Sequence, residues 1–572
     1  MIYRHLTAGA AGAALLFTAA AAQEPRAYAP VTDARLVVPE AENWLMYRGT
    51  YNGWGYSTLD QINTRNVAEL APVWTLSTGV REGHQAPPIV NDGVMFVTTP
   101  GNQVYAIDAR TGDILWLYRR QLPFDVMQLH PTNRGVALYG DKVYMATVDA
   151  ALVALDAVSG EIVWETAVED YRRGYYMTLA PLAANGKIMV GVSGGELGIR
   201  GFVAAFDAET GVPVWKTYTI PAPGEPGSET WAGEDWRRGG APAWITGTFD
   251  PDRNLSYWGT GNGGPWTGDA RPGDSLYANS VLALHVDTGA LAGYHQYHWN
   301  GSWDWDEVSA PILMDVERNG RTINALVHPG RNGYLWLLER GRDRIGFVDA
   351  WPFVAQNVFT RIDPATGRPE YDMARKPAIG YRATFCPSIW GGKNWPPAAY
   401  SPQTGLLYVP ANENLCASME GEEVEYRPGQ RFTGASQSLF LADGADHVGE
   451  LQAWNMSTGE RAWTHEFPTH NWGPVLTTAG GLVFAGGTQD RYFRAFDARS
   501  GRVLWEQRTS SGVIGVPTAY SVDGVQYVAV LSGWGVDAAR MQGAIERARG
   551  MPAEEVPQGG VLWVFALPEA LD

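Results

Sequence analysis

The chain predicts an all-β fold of the propeller type, and three observations carry that prediction. A motif of the form apolar-x-Ala-x-Asp-Ala-x-Thr/Ser-Gly-x-x-x-Trp recurs, with small variations, at Val104 to Trp116, Leu152 to Trp164, Val203 to Trp215, Leu451 to Trp463 and Phe493 to Trp505. Its tryptophans are 48 residues apart from Trp116 to Trp164, 51 from Trp164 to Trp215 and 42 from Trp463 to Trp505. Strand–turn–strand repeats of that period mean propeller blades or a β-solenoid, and the tightest spacing favours four-stranded blades. With 67 glycines and 24 tryptophans among 572 residues, the composition suits short strands and tight turns, not long helices.

Taken in order, the chain opens on a secretory signal at residues 1–22. Arg4 and His5 precede an Ala/Leu-rich run ending in Ala20-Ala21-Ala22, too short and small for a membrane span but suited to cleavage. No later stretch is apolar enough to cross a bilayer, so residues 23–572 are expected as one exported, periplasmic domain. A short helix is expected over Asn63 to Leu70. In each repeat the Thr/Ser-Gly turn reverses the chain, with glycine supplying positive φ. The tryptophan then occupies a fixed place on the next strand. One blade cannot bury both of its faces, so such rings join neighbours. Weaker copies stand at Val281 to Gly289 and Ser401 to Gly405. Between about 216 and 450 the spacing lengthens, which predicts blades with loops inserted on one face, where function gathers. A helix over Arg540 to Arg549, ended by Gly550, and a strand over Gly560 to Leu567 that closes the ring complete the chain.

The net charge of −18 argues against a nucleic-acid partner and suits a solvated surface or a basic protein partner. Two cysteines, Cys386 and Cys416, either pair across a loop in an oxidising compartment or are separate buried thiols. With neither CxxC nor CxxCH present, thioredoxin chemistry and covalent c-type haem are excluded.

The chemistry concentrates in Trp303-Asp304-Trp305-Asp306-Glu307. In an extended segment, residues two apart share a side, so both aspartates would face one volume. Two close carboxylates repel unless a proton or cation lies between them. Alone, the motif reads as an acidic surface turn, a metal site, or a general base beside a metal. Two glycine-rich turns add oxygen ligands: Ser193 to Gly201 carries Glu196, and Gly259 to Trp266 carries Asn262. Glu196, Asn262, Asp304 and Asp306 form an all-oxygen set, which hard cations such as Ca²⁺ take and Zn²⁺ does not. His295 and His298 read as polar loop residues, and Glu420 to Glu425 as a solvated loop or a wall of substrate entry.

These segments, with Trp44 to Gly49 and Gly391-Gly392-Lys393-Asn394-Trp395, resemble the pyrroloquinoline-quinone (PQQ)-dependent alcohol dehydrogenases, the methanol/ethanol dehydrogenase family, over nearly the whole mature chain. The resemblance implies an eight-bladed propeller with the quinone and a metal on its axis. It implies Glu196, Asn262 and Asp304 as metal ligands, with Asp304 also the catalytic base. Trp244 would stack under the quinone, and Arg134 and Arg331 would bind its oxygens, a task suited to guanidinium. Thr178, Ser193, Gly194, Gly195, Asn394 and Trp472 would make further contacts, and Gln85 stands where many members have Glu. A Cys386–Cys416 disulfide is also implied.

Two departures stand out. Gln128-Leu129 replaces the adjacent cysteines of many members, leaving Leu129, His130 or nothing for that quinone face, and Ala243 replaces a usual Thr. Both point to a substrate range different from methanol dehydrogenases. In the family an Asp at the place of Asp306 accompanies lanthanide use. Three carboxylates balance a trivalent ion, while Ca²⁺ leaves an excess that Arg331 would relieve, so either cation is expected. The implied activity is oxidation of an alcohol, bulky or secondary ones included, to an aldehyde or ketone by hydride transfer to PQQ. Electrons would leave to an external acceptor such as a periplasmic cytochrome c. The alternatives are a PQQ sugar or polyol dehydrogenase and a non-catalytic propeller scaffold, which shares the repeat but needs no cofactor.

Overall fold

The computed structural model describes residues 28–552 and 554–570; the signal segment 1–22 lies outside them. The fold is all-β and propeller-type. Eight antiparallel units of four strands follow one another among the described residues. They cover 89–119, 137–167, 182–218, 248–296, 312–352, 399–467, 475–508 and 518–566. In the seventh, Tyr56–Ser57 adds a fifth strand, parallel to Val475–Thr478. In the last, Val561–Ala566 pairs with Ala71–Ser77 from the other end of the chain, so the final unit is closed by the first long strand.

One turn explains the repeat. Asp156 accepts hydrogen bonds at Oδ1 from the amides of Val158 and Ser159 at 3.0 and 2.7 Å. Gly160 has φ 75°, and a Cβ there would fall 2.5 Å from the Trp116 ring, so the residue that turns the chain also seats the tryptophan of the preceding unit. Trp116 Nε1 donates to the Ala157 carbonyl at 3.0 Å. Trp164, Trp215 and Trp463 donate likewise to Ala208, Val286 and Ala498 in the units that follow. Trp505 donates to Leu70, at the start of the closing strand.

The stretch read as irregular holds two ordinary units followed by an insertion. Arg382–Phe385, Leu415–Gly421 and Ala435–Leu441 make a separate three-stranded sheet, and its hairpin interrupts the sixth unit between Leu406–Asn412 and Gly449–Asn455. The Cys386–Cys416 disulfide is formed beside it, so the cysteines are not free thiols. No helix among the described residues is long and apolar enough to cross a membrane.

Two helix expectations need correction. Over 63–70 there is only a 3₁₀ turn, Val67–Glu69. Asn66 and Asn63 side chains accept from the amides of Asn63 and Arg65 at 2.8 and 3.1 Å, and such local bonds compete with a helix. The later helix is longer than expected, Gly535–Arg549, with Gly550 in the left-handed region at its end. Its first turns form because Ala538, Met541 and Ile545 bury one face.

Candidate active site

Loops from distant parts of the chain meet around one cavity of about 200 Å³. Glu196, Asp304, Asp306, Arg134, Arg331, Thr178, Ser193, Gly194, Trp244, Asn394 and Trp472 all line it.

Asp304 is held from both sides. Trp303 and Trp305 are fully buried and stacked, their centroids 5.0 Å apart. Trp303 Nε1 donates to the Arg375 carbonyl and Trp305 Nε1 to that of Ser388, both at 2.8 Å. The segment is not the extended one expected: Asp304 has φ 58°, a left-handed backbone uncommon for a residue with a Cβ. The two carboxylates reach one cavity by that kink rather than by strand alternation.

The aspartates then differ in partners. Asp306 accepts from the Asn262 amide at 2.6 Å and from Trp244 Nε1 at 2.9 Å, with Arg331 Nη2 at 3.5 Å. Asp304 accepts no side-chain hydrogen bond from a described residue; Arg331 Nη1 donates to its backbone carbonyl at 2.9 Å. Burial pushes the Asp304 carboxyl well above the usual range, Arg331 and Arg431 pull it down, and Asp306 and Glu196 push it further up. Such a group stays ionised beside a cation.

Glu196 sits on a single 3₁₀ turn, Gly195–Leu197. Gly194 precedes it at φ 110°, and a Cβ there would fall 2.1 Å from the Gly174 carbonyl oxygen. Only glycine lets these two backbones meet, which is why the turn is glycine-rich. Asn262 is buried and bonded to Asp306 through its amide, while its side-chain Nδ2 donates to the Gly263 carbonyl at 3.0 Å. Neither Asn262 nor Gly195 is part of the cavity wall itself; each backs a residue that is.

Arg134 donates from Nη1 to Thr178 Oγ1 at 2.6 Å, and Thr178 shares a 3.2 Å bond with Ser193. Its guanidinium lies 4.9 Å from the Trp244 ring and 5.0 Å from that of Trp395, and burial lowers its pKa to about 10. Asn394 Oδ1 accepts from the Trp395 amide at 2.8 Å and lies 3.4 Å from Arg331 Nη2. Gln85, like Gly195 and Asn262, does not line the cavity; it is buried, with Oε1 lacking a partner among the described residues.

Several residues were not anticipated. Glu307 is fully buried; it accepts from the amides of Arg331 at 3.1 Å and Asn332 at 3.2 Å and meets His328 Nε2 at 2.7 Å. It therefore fixes the loop that carries Arg331. Lys393 is buried and donates to Ser309 Oγ at 2.7 Å and to the Asn394 carbonyl at 2.8 Å, with burial lowering its pKa to about 7. Asp537 was likewise unforeseen: in the cavity wall, where Leu129 and His130 were expected, His130 Nδ1 meets its Oδ2 at 2.8 Å.

The site fits a flat polyanionic cofactor and a hard cation. Arg134 Nε, Arg331 Nε and Trp472 Nε1 are buried without hydrogen-bond partners among the described residues, an arrangement native proteins avoid unless a ligand completes it. Asp304 supplies an unpaired carboxylate, and Trp244 an aromatic face between two arginines.

The comparisons with known proteins agree. The family model for the PQQ glucose/ethanol/alcohol dehydrogenase β-propeller domain matches residues 44–343 and 448–528. The chain is 39% identical over 548 residues to the quinoprotein alcohol dehydrogenase PedH of Pseudomonas putida, covering 91% of this chain and 90% of that one. It is 37% identical over 528 residues to a lanthanide-dependent methanol dehydrogenase of Methylacidiphilum fumariolicum, covering 87% and 85%. Among solved structures, a europium-containing methanol dehydrogenase superposes with TM-score 0.87 at 34% identity, over 94% of this chain and 100% of that one. Sequence, fold and cavity together establish that this chain belongs to the family of PQQ-dependent quinoprotein alcohol dehydrogenases.

Proposed function

We propose that the protein oxidises an alcohol to an aldehyde or ketone in the cavity around Asp304. The observation that carries this reading is the convergence of Glu196, Asp304 and Asp306 with Trp244, Arg134 and Arg331 on one cavity. Residues 23–572 form, in this reading, an eight-bladed ring with the cofactor site on its axis, and residues 1–22 export it to the periplasm.

Glu196, Asn262 and Asp304 would hold the cation, with Asp306 beside them. Trp244, Arg134, Arg331, Thr178, Ser193, Asn394 and Trp472 would hold the quinone, with Gly194 and Gly195 allowing close approach. Gln85, set back from the wall, would act through its neighbours. When bound, the quinone accepts the hydride and the cation polarises its carbonyl. Asp304 takes the hydroxyl proton of the alcohol: unlike Asp306, which the Asn262 amide and Trp244 occupy, its carboxylate accepts no hydrogen bond from a described residue. Arg331 holds the Asp304 backbone in its left-handed turn, and Asp306 orients Trp244. Both cysteines are in a disulfide and no haem-attachment motif occurs, so electrons leave to an external acceptor, a cytochrome c being the expected class.

The test is reconstitution with PQQ and Ca²⁺ or La³⁺, followed by quinone absorbance and dye reduction across an alcohol panel. Bound quinone without turnover on any alcohol defeats the reading.

A further inference from the structure

Arg431, which draws the Asp304 pKa down, lines the cavity together with Asp304, Trp266, Ile389 and Gln437. Its side chain is exposed at the mouth, and no described residue hydrogen-bonds or ion-pairs with its guanidinium. Nearby arginines are taken: Arg540 by Asp537 at 2.6 Å and Arg427 by Glu425 at 3.0 Å. Its backbone, by contrast, is fixed. Residues 422–434 form a loop of the inserted sheet, closed where the Glu422 amide donates to the Gly434 carbonyl at 2.8 Å. The Phe432 amide donates to the Glu196 carbonyl at 2.6 Å, and the Trp266 amide to that of Thr433 at 2.8 Å. Phe432 is buried, edge-on to Tyr426 at 5.5 Å. Arg431 is thus pinned between the turn that carries Glu196 and the tryptophan wall.

A pinned, unpaired guanidinium beside Trp266, Ile389 and Gln437 is a specificity element: apolar walls accept many shapes, and a few placed donors choose among them. We propose that Arg431 is a specificity-determining residue that selects alcohols bearing a second, neutral oxygen (carbonyl, hydroxyl or ether) remote from the reacting carbinol, over plain alkanols. A carboxylate fits less well, because Glu196, Asp304 and Asp306 line the same cavity and repel it. This deepens the alcohol-oxidation reading and rests on it.

Two measurements test it. On holoenzyme, kcat/KM is compared for hydroxyketones and the matching deoxy alcohols in wild type, Arg431→Met and Arg431→Lys. Wild type should favour the oxygenated partner about tenfold, the size of one charge-assisted hydrogen bond. Arg431→Met should erase that preference and Arg431→Lys keep part of it. An unchanged preference, or equal losses on both substrates, overturns the inference. Independently, tertiary hydroxyketones, which have no hydride to lose, are titrated against holoenzyme by calorimetry beside their deoxy counterparts. Arg431-dependent binding without turnover of any alcohol would defeat the oxidation reading while leaving the recognition role standing. Binding indifferent to Arg431 defeats the recognition role itself.

Discussion

The turn at Asp156–Gly160 and the segment Trp303–Glu307 each place an aspartate at a left-handed bend, and they use it in opposite ways. In the turn, glycine takes the unusual φ and the Asp156 carboxylate is consumed by neighbouring amides. In the segment, Asp304 itself takes φ 58° and its carboxylate has no hydrogen-bond donor among the described residues. The first is an unstrained structural device, repeated where a unit seats a tryptophan of the preceding one, as Gly160, Gly211, Gly289 and Gly501 do. The second holds an unfavourable backbone and a destabilised charge, and persists because stacked tryptophans, Arg331 and Glu307 over-determine it. Strain with an unsatisfied group marks chemistry; the same geometry fully satisfied marks architecture.

The sharpest way to break that contrast is Asp304→Ala. Turnover should fall by about a thousandfold or more, the size of a lost general base that would also hold the cation, while the melting temperature stays near wild type. Retained dye reduction in this variant would remove Asp304 from the mechanism. Gly160→Val is the reciprocal experiment. It forces a branched side chain into left-handed φ and into the Trp116 ring, at a cost of about 3 kcal/mol. Denaturant unfolding should record that loss, and the fraction still folded should keep its kcat.

This contrast also governs how much was legible beforehand. The turn repeats, so its aspartate, glycine and tryptophan announced themselves by period, and the all-β architecture followed. The cavity residues occur once each. Most were reached through resemblance, and Asp304 and Asp306 also through their spacing, although the strand geometry invoked for them is absent. Glu307 was passed over because nothing local distinguishes a buried glutamate from a solvated one; its partners, His328 and the Arg331 amide, lie more than twenty residues on. Arg431 and Asp537 were missed for the same reason. They reach the cavity only through an inserted loop and a helix whose first turns carry no recognisable cap.

A smaller effect is expected from Asp306→Asn. It keeps a side-chain oxygen but removes the charge that Trp244 and the Asn262 amide now meet. Metal affinity should fall about ten- to hundredfold, and lanthanide-supported activity should fall more than Ca²⁺-supported activity. Equal falls with both ions would show that Asp306 serves Trp244 alone.

The smallest effect tests the rim, where architecture and chemistry overlap. His130 lies within the cavity wall, and that burial favours its neutral form; the Asp537 carboxylate opposes it and wins, so the His130 pKa stands above its ordinary 6.5. Asp537 in turn is held below its ordinary value: burial opposes this, but His130 and Arg540 prevail. Linkage then gives the sign. The raised histidine contributes stability that is complete below its unfolded pKa and disappears as pH climbs through the folded one. The depressed aspartate contributes stability that is lost only in acid, as pH falls through its own folded value. The pair therefore stabilises the docking of the helix Gly535–Arg549 between these limits. Asp537→Asn removes the opposing charge and leaves burial unbalanced, so the His130 titration followed by NMR should move from above 6.5 to below it. The destabilisation caused by that substitution should be larger near about pH 6 than near about pH 9. A His130 midpoint that does not respond to Asp537→Asn would mean the two groups do not share a proton in solution, and the rim would then be held by the apolar face of the helix alone.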